Sequence, residues 1–222
     1  YTTNIGSWGY QRVGLSSGAE IPPQTREFRF KPGITQSMLL LSTTVNSVAE
    51  SNVKRIYEGK PEAKIIMLVF ESLTCSHCAN FHKEVYPEIK KNFIDKGLVK
   101  LEFRNFPLDL AAFNAAKVAQ CRGVKGEEIL HFLYENQNDW VKGNSIEDLN
   151  KNLENILKSK NFGIDYEKCI NDKSIEDFVL EDRIEGVKKY NVSATPTIII
   201  NGEKFEKPLT YKNLQKTLEK LL

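Results

Sequence analysis

The sequence is poor in cysteine, histidine and net charge. Four cysteines and three histidines occur among 222 residues, and the formal net charge is +2. A nucleic-acid-binding domain would carry a strong basic stripe, so no nucleic-acid partner is expected. No apolar run reaches 18 residues, so no membrane-spanning helix is expected. A structural zinc site needs four ligands. The single Cys-x-x-Cys has no second pair and no His-x-His cluster at fitting spacing, so neither a metal nor a cofactor is expected. No internal repeat or low-complexity tract is evident. What is present is ordinary for a soluble globular chain: 41% hydrophobic and 27% charged residues. The length suits one large domain, or a domain with an insertion, whose core does not need disulfides merely to fold.

The cysteines divide into two kinds. Cys75 and Cys78 flank Ser76 and His77. Cys121 and Cys169 are 48 positions apart and belong to no local motif. An even count with one distant pair points to a structural disulfide and an oxidising compartment. Two unrelated buried thiols fit the same residues, because free cysteine packs as a small hydrophobe. If the bond forms, chain entropy makes it worth about 4 kcal/mol.

Periodicity gives the outline. Residues 65–70 are continuously apolar and read as a fully buried strand. Phe81, Val85, Ile89 and Phe93 recur every four residues and read as a helix. Residues 98–103 read as a second strand, with Val99, Leu101 and Phe103 alternating with charged residues. Together these make a βαβ unit. Helices are predicted over 110–119, 127–135, 146–157, 166–170 and 175–190. Ser145 reads as an N-cap, and Ser174 with Asp177 as a near capping box. Thr197 to Ile200, Asn201-Gly202 and Lys204-Phe205 read as a hairpin. A closing helix over 211–222 would bury Leu214, Leu218 and Leu221.

The first cysteine pair carries the chemistry. Cys75 falls at a strand-to-helix junction, where unpaired N–H groups and the helix dipole favour a thiolate. Cys78 follows one turn later, within reach to form or resolve a disulfide. A cationic His77 would further favour the Cys75 thiolate, stabilise the reduced pair and so make an oxidant. An exposed His77 without a role is the alternative. His82 and His131 lie outside this context and read as core or surface residues. Pro196 enters a β-branched run. A cis Thr195–Pro196 bond there would leave the Thr195 backbone free to pair with an extended peptide.

Residues 1–37 are polar and aperiodic, and Met38 begins an apolar patch. Three readings of residues 1–57 stand: a signal peptide cleaved near Ser47-Val48-Ala49, an amphipathic arm on Met38, Leu41, Val45 and Val48, or an element docked on the body.

Residues 58–222 resemble the DsbA-like protein-disulfide oxidoreductases of the thioredoxin superfamily. The resemblance rests on Cys75-Ser76-His77-Cys78, on Val192-Ser193-Ala194-Thr195-Pro196-Thr197, and on the helical stretch between them. Pro196 lies 118 positions past Cys78, farther than in a plain thioredoxin domain. The resemblance therefore implies an α/β, thioredoxin-like fold over 58–106 and 190–222, an inserted helical domain over 107–189, and an N-terminal extension over 1–57. The Cys121 and Cys169 pair resembles the alpha-proteobacterial branch of the family. Cys75 is implied to be the nucleophile, Cys78 its buried partner, His77 the tuning residue, and Thr195 with Pro196 the substrate loop. Also implied are reduced, unfolded secreted proteins as substrates, a DsbB-like membrane partner, and a periplasmic setting. Oligomerisation through the N-terminal segment would favour an isomerase or reductase. A binding module with an incidental dithiol is the reading from another class. Three departures from the family pattern stand out. Ser76 replaces the usual proline. Thr195 replaces the valine of strong oxidases. Val69 occupies the place of a buried acid, while Glu71 lies two residues on, on the same strand face.

Overall fold

The apolar run at 65–70 becomes the central strand of a mixed sheet. The computed structural model describes residues 53–222, so the readings made above of residues 1–52 lie outside the described residues. The strands are β1 (Tyr57–Glu58), β2 (Ile65–Glu71), β3 (Val99–Asn105), β4 (Thr197–Ile200) and β5 (Glu203–Lys204). Their spatial order is β1-β3-β2-β4-β5. β2 and β3 are parallel and every other pair is antiparallel. The two-residue β1 was not expected from periodicity.

β2 feeds two cores because successive side chains leave opposite faces. Ile65, Met67 and Val69 enter the larger core. Leu68 and Phe70 enter a smaller one with Phe106, Val192 and Ile199. Ile66 corrects the fully buried reading of this strand: it is 43% exposed. It lies ahead of the smaller core, at the hairpin end, where its N–H donates to Asn201 Oδ1.

The crossover from β2 to β3 is one continuous helix of mixed winding. It runs through α1 (Ser76–Asn80), a π segment (Phe81–Val85), α2 (Tyr86–Ile89) and a second π segment (Lys90–Ile94). The four-residue stripe of Phe81, Val85, Ile89 and Phe93 is buried throughout. On a uniform α-helix of about 3.6 residues per turn such a stripe would drift around the axis. The π turns, with about 4.4 residues each, bring the mean close to four and keep the stripe on one face.

The helical stretch comprises α3 (Leu110–Gln120), a 3₁₀ turn (Gly123–Gly126), α4 (Glu127–Glu135), α5 (Gln137–Trp140), α6 (Ile146–Lys160), α7 (Tyr166–Asn171) and α8 (Lys173–Tyr190). Ser145 caps α6 in a reciprocal capping box with Asp148. Asp172, not Ser174, caps α8; its carboxylate accepts from the N–H groups of Ser174 and Ile175. An anionic cap at that position also meets the positive end of the helix dipole. Cys121 and Cys169 are bonded, joining the end of α3 to α7 with Cα atoms 5.6 Å apart. α9 (Tyr211–Glu219) buries Leu214 and Leu218. Leu221 lies beyond its end and is 37% exposed, contrary to expectation.

α8 is locked to the sheet by buried charge. Asp182 Oδ1 accepts from Arg104 Nε at 2.8 Å and from Arg55 Nη1 at 2.6 Å. Its Oδ2 accepts from the backbone N–H and side-chain amide of Asn105. Four donors satisfy this carboxylate, which is the condition under which a buried ion pair is tolerated. At Gly186 a Cβ would approach Phe70 within 2.8 Å, so only glycine allows this contact between helix and sheet.

Candidate functional site

β2 ends in Glu71, and the chain turns through Ser72, Leu73 and Thr74 to reach Cys75. Cys75 is the N-cap of α1, with extended backbone. Its carbonyl accepts from the N–H groups of Cys78 and Ala79, at 3.1 Å each. The turn is fastened from both sides. Ser72 Oγ accepts from Leu108 N, and Thr74 Oγ1 donates to Asp109 Oδ2 at 2.6 Å. Gln137, from the helical stretch, donates through Nε2 to the carbonyls of Leu73 and Cys75, at 2.8 and 3.1 Å.

The two thiols are held in opposite states. Cys75 is half-buried and Cys78 fully buried, and both are free. The Cys78 thiol, donating to the Cys75 sulfur, lowers the Cys75 pKa to about 5, and the N–H groups of Cys78 and His77 act in the same direction. Burial pushes the Cys78 thiol far up, and the neighbouring Cys75 and the charge of Glu71 add to this. Cys75 is thus the more readily ionised of the two thiols, and thiolates rather than thiols are nucleophilic.

The later proline motif comes to the same place. The Thr195–Pro196 peptide is cis. Cys75 Sγ lies 3.4 Å from the Thr195 carbonyl oxygen, 120 positions away in sequence. Thr197 Oγ1 donates to Ala194 O at 2.7 Å and fixes the start of β4 behind it. Cys75, Cys78, Thr195 and Pro196 thus form one site. His77 is exposed, and it contributes its backbone N–H rather than its ring. The Cys121–Cys169 bond belongs to the helical stretch. Among the described residues, no group of three or more His, Cys, Asp or Glu is placed to hold a metal. Nor is any helix there long and apolar enough to cross a membrane.

His82 and His131 are more than the isolated core or surface residues expected. His82 is buried, with Nε2 2.7 Å from Glu71 Oε2. Its Nδ1 lies 3.2 Å from His131 Nδ1. His131 Nε2 is 2.7 Å from Glu58 Oε1. One signal was available: His82 lies four residues after Cys78, on the same helical face. Gln137 gave no local signal, because its contacts come from a segment more than 60 residues away.

A family model described as Thioredoxin matches residues 51–220. The chain is a DsbA-like member of the thioredoxin family. The crystal structure of alpha-DsbA1 from Wolbachia pipientis superposes with a TM-score of 0.69 at 30% identity, over 75% of this chain and 90% of that one. Disulfide bond formation protein D of Bacillus subtilis is 28% identical over 181 residues, 74% of this chain and 75% of that protein. A Rickettsia prowazekii relative, provisionally named a protein-disulfide oxidoreductase, is 25% identical over 169 residues. The chain spans only 60% of that relative's length. The family's thioredoxin-like fold with a helical insertion is the architecture described above.

Proposed function

We propose that the chain is a thiol–disulfide oxidoreductase that introduces disulfide bonds into reduced, unfolded exported proteins. A substrate thiolate attacks Cys75 Sγ of the oxidised pair, the Cys75–Cys78 bond breaks, and its electron pair passes to Cys78 Sγ. A second substrate thiolate then displaces Cys75, leaving the substrate oxidised and the pair reduced. The observation that carries this reading is the free Cys75 thiol at the start of α1, 3.4 Å from the Thr195 carbonyl oxygen and backed by the buried Cys78, and the lowered Cys75 pKa agrees with it. A stable thiolate favours the reduced pair, which makes the disulfide an oxidant. The Thr195 backbone, ahead of Pro196, would pair with the substrate, and the His77 N–H would help to tune Cys75.

Residues 58–106 and 190–222 would act as the thioredoxin-like domain and 107–189 as the inserted helical domain. Residues 1–57 would form an extension able to support oligomerisation. A DsbB-like membrane protein would restore the disulfide, in the periplasm. The test is the equilibrium reduction potential of Cys75–Cys78 against glutathione. A value near or above about −150 mV supports the oxidase, since the strongest oxidants of this kind lie around −120 mV. A value at or below about −200 mV overturns it in favour of an isomerase or reductase.

A further inference from the structure

Cys78 must gain and lose a proton in a place water does not reach. It is fully buried, and each turn of the cycle converts its sulfur between thiolate, thiol and disulfide. Glu71, buried at the end of β2, is a carboxylate whose charge acts on Cys78. A single buried carboxylate cannot by itself exchange a proton with solvent. We propose that His82 and His131 form a proton relay connecting Glu71 to the molecular surface. The proposal deepens the function assigned above and rests on it.

The geometry is a line of three short contacts. Glu71 Oε2 to His82 Nε2 spans 2.7 Å, His82 Nδ1 to His131 Nδ1 spans 3.2 Å, and His131 Nε2 to Glu58 Oε1 spans 2.7 Å. Burial falls along it: the side chains of Glu71 and His82 are 4% and 5% exposed, and that of His131 is 23% exposed. Glu71 Oε1 has no hydrogen-bond partner among the described residues, so one buried acceptor of this carboxylate is unused. The rings are fixed by stacking, His82 on Tyr134 at 4.1 Å and His131 on Tyr86 at 4.6 Å between centroids.

Hydrogen counting shows why this line conducts. The Nδ1 pair shares one hydrogen, so one ring donates and the other accepts. With both Nε2 atoms donating to carboxylates, one ring is cationic. If His82 passes its Nε2 hydrogen to Glu71, both rings become neutral and the hydrogen total is unchanged. When Cys78 leaves as thiolate it takes that hydrogen from Glu71, while the hydrogen between the Nδ1 atoms passes from His131 to His82, so the proton gained at Cys78 is one lost by His131. Reoxidation runs the same hops outward.

The outer end is anchored. Tyr86 donates to Glu58 Oε1, and Lys90 donates to Glu58 Oε2 at 2.6 Å. Burial pushes the Glu58 carboxyl up, but hydrogen bonds from His131, Lys90 and Tyr86 outweigh it and hold the pKa at about 2. Glu58 therefore stays ionised and orients His131, whose ring meets water. The other charged and titratable groups facing this line are Tyr134 at the inner end and Asp95 and Glu127 at the outer end.

The reaction of the reduced protein with 5,5′-dithiobis(2-nitrobenzoate) separates the steps. First the Cys75 thiolate forms a mixed disulfide and releases one aryl thiolate. Then Cys78 loses its proton, attacks Cys75 Sγ and releases the second. In His131→Ala and His131→Gln the first phase should stay within about twofold of wild type. The second should slow by about tenfold or more, as for loss of a proton-transfer group. Added imidazole should restore the second phase in His131→Ala, and His82→Phe, which keeps the stack, should be slow without rescue. A folded His131→Gln whose second phase matches wild type from pH 5 to 9 overturns the relay, as does an imidazole-insensitive defect in His131→Ala. A wild-type protein releasing one equivalent instead of two refutes the dithiol reading itself.

Discussion

The low pKa of Cys75 leads to a rate advantage that depends on pH in an unobvious way. Cys75 titrates at about 5, against about 8.5 for a free thiol. At pH 7 nearly all of Cys75 is thiolate, compared with about 3% of a free thiol, roughly a thirtyfold gain. Thiolate nucleophilicity falls with pKa, with a Brønsted coefficient of about 0.4–0.5. Over a difference of about 3.5 in pKa this is a loss of roughly fortyfold, so the two effects nearly cancel at pH 7. At pH 5 half of Cys75 is ionised, against about 0.03% of a free thiol, and Cys75 should react about fortyfold faster. At pH 9 it should react about thirtyfold slower. Cys78→Ser isolates the nucleophile while keeping a donor on it. Mixed-disulfide formation with oxidised glutathione, quenched in acid and counted by mass spectrometry from pH 4 to 9, gives the profile beside a cysteine peptide. A half-point above pH 7, or a constant ratio to the free thiol, would refute the account of how Cys75 is held.

Three further outcomes follow from other parts of the molecule. Glu58 has a folded pKa near 2, below its ordinary 4.5, so its contribution to stability is full above about pH 4.5 and is lost as pH falls through about 2. Glu58→Gln should therefore flatten the dependence of Tm on pH across that window, and an unchanged slope would count against the anchor. Asp182→Ala should cost about 3–5 kcal/mol, because Arg104 Nε and the donors of Asn105 lose their acceptor while Arg104 keeps only Glu185 and Glu102; the double replacement Arg104→Met with Asp182→Leu should cost less, as urea unfolding would show. Replacing both Cys121 and Cys169 by alanine should cost about 4 kcal/mol and lower Tm by on the order of 10 °C, whereas a change under about 1 kcal/mol would refute the chain-entropy estimate.

Legibility in the sequence followed the range of the interactions. The dithiol helix, the Asn201-Gly202 hairpin and the Ser145 cap were readable because each is decided within a few residues. Thr195 and Pro196 were readable only jointly with Cys75, since a proline at a strand start has a bland reading of its own. Buried polar partners were not readable. Arg104 looked like the solvent face of an alternating strand until Asp182, 78 positions away, came to meet it. Gln137 and the His82–His131 pair depend likewise on how the helices dock on the sheet. The cap of α8 was misplaced by two residues, from Asp172 to Ser174, because both residue types favour caps and sequence does not rank them there.

The mixed winding of the helix that carries the cysteines makes its residue count a functional quantity. Each π turn amounts to one residue more than an α turn would hold, and between Phe81 and Ile94 there are two. Rewinding both π segments as α-helix would leave an acceptable helix with the same residues and the same dithiol. Its two ends would differ in azimuth by roughly half a revolution, because about ten residues would each turn about 100° instead of about 82°. Phe93 seated in the core would then turn Cys78 and His82 away from Glu71. A deletion of one residue that relaxes a π segment to α winding therefore keeps the dithiol in register with the core, whereas a change of winding without it, even three turns from the cysteines, turns the dithiol away.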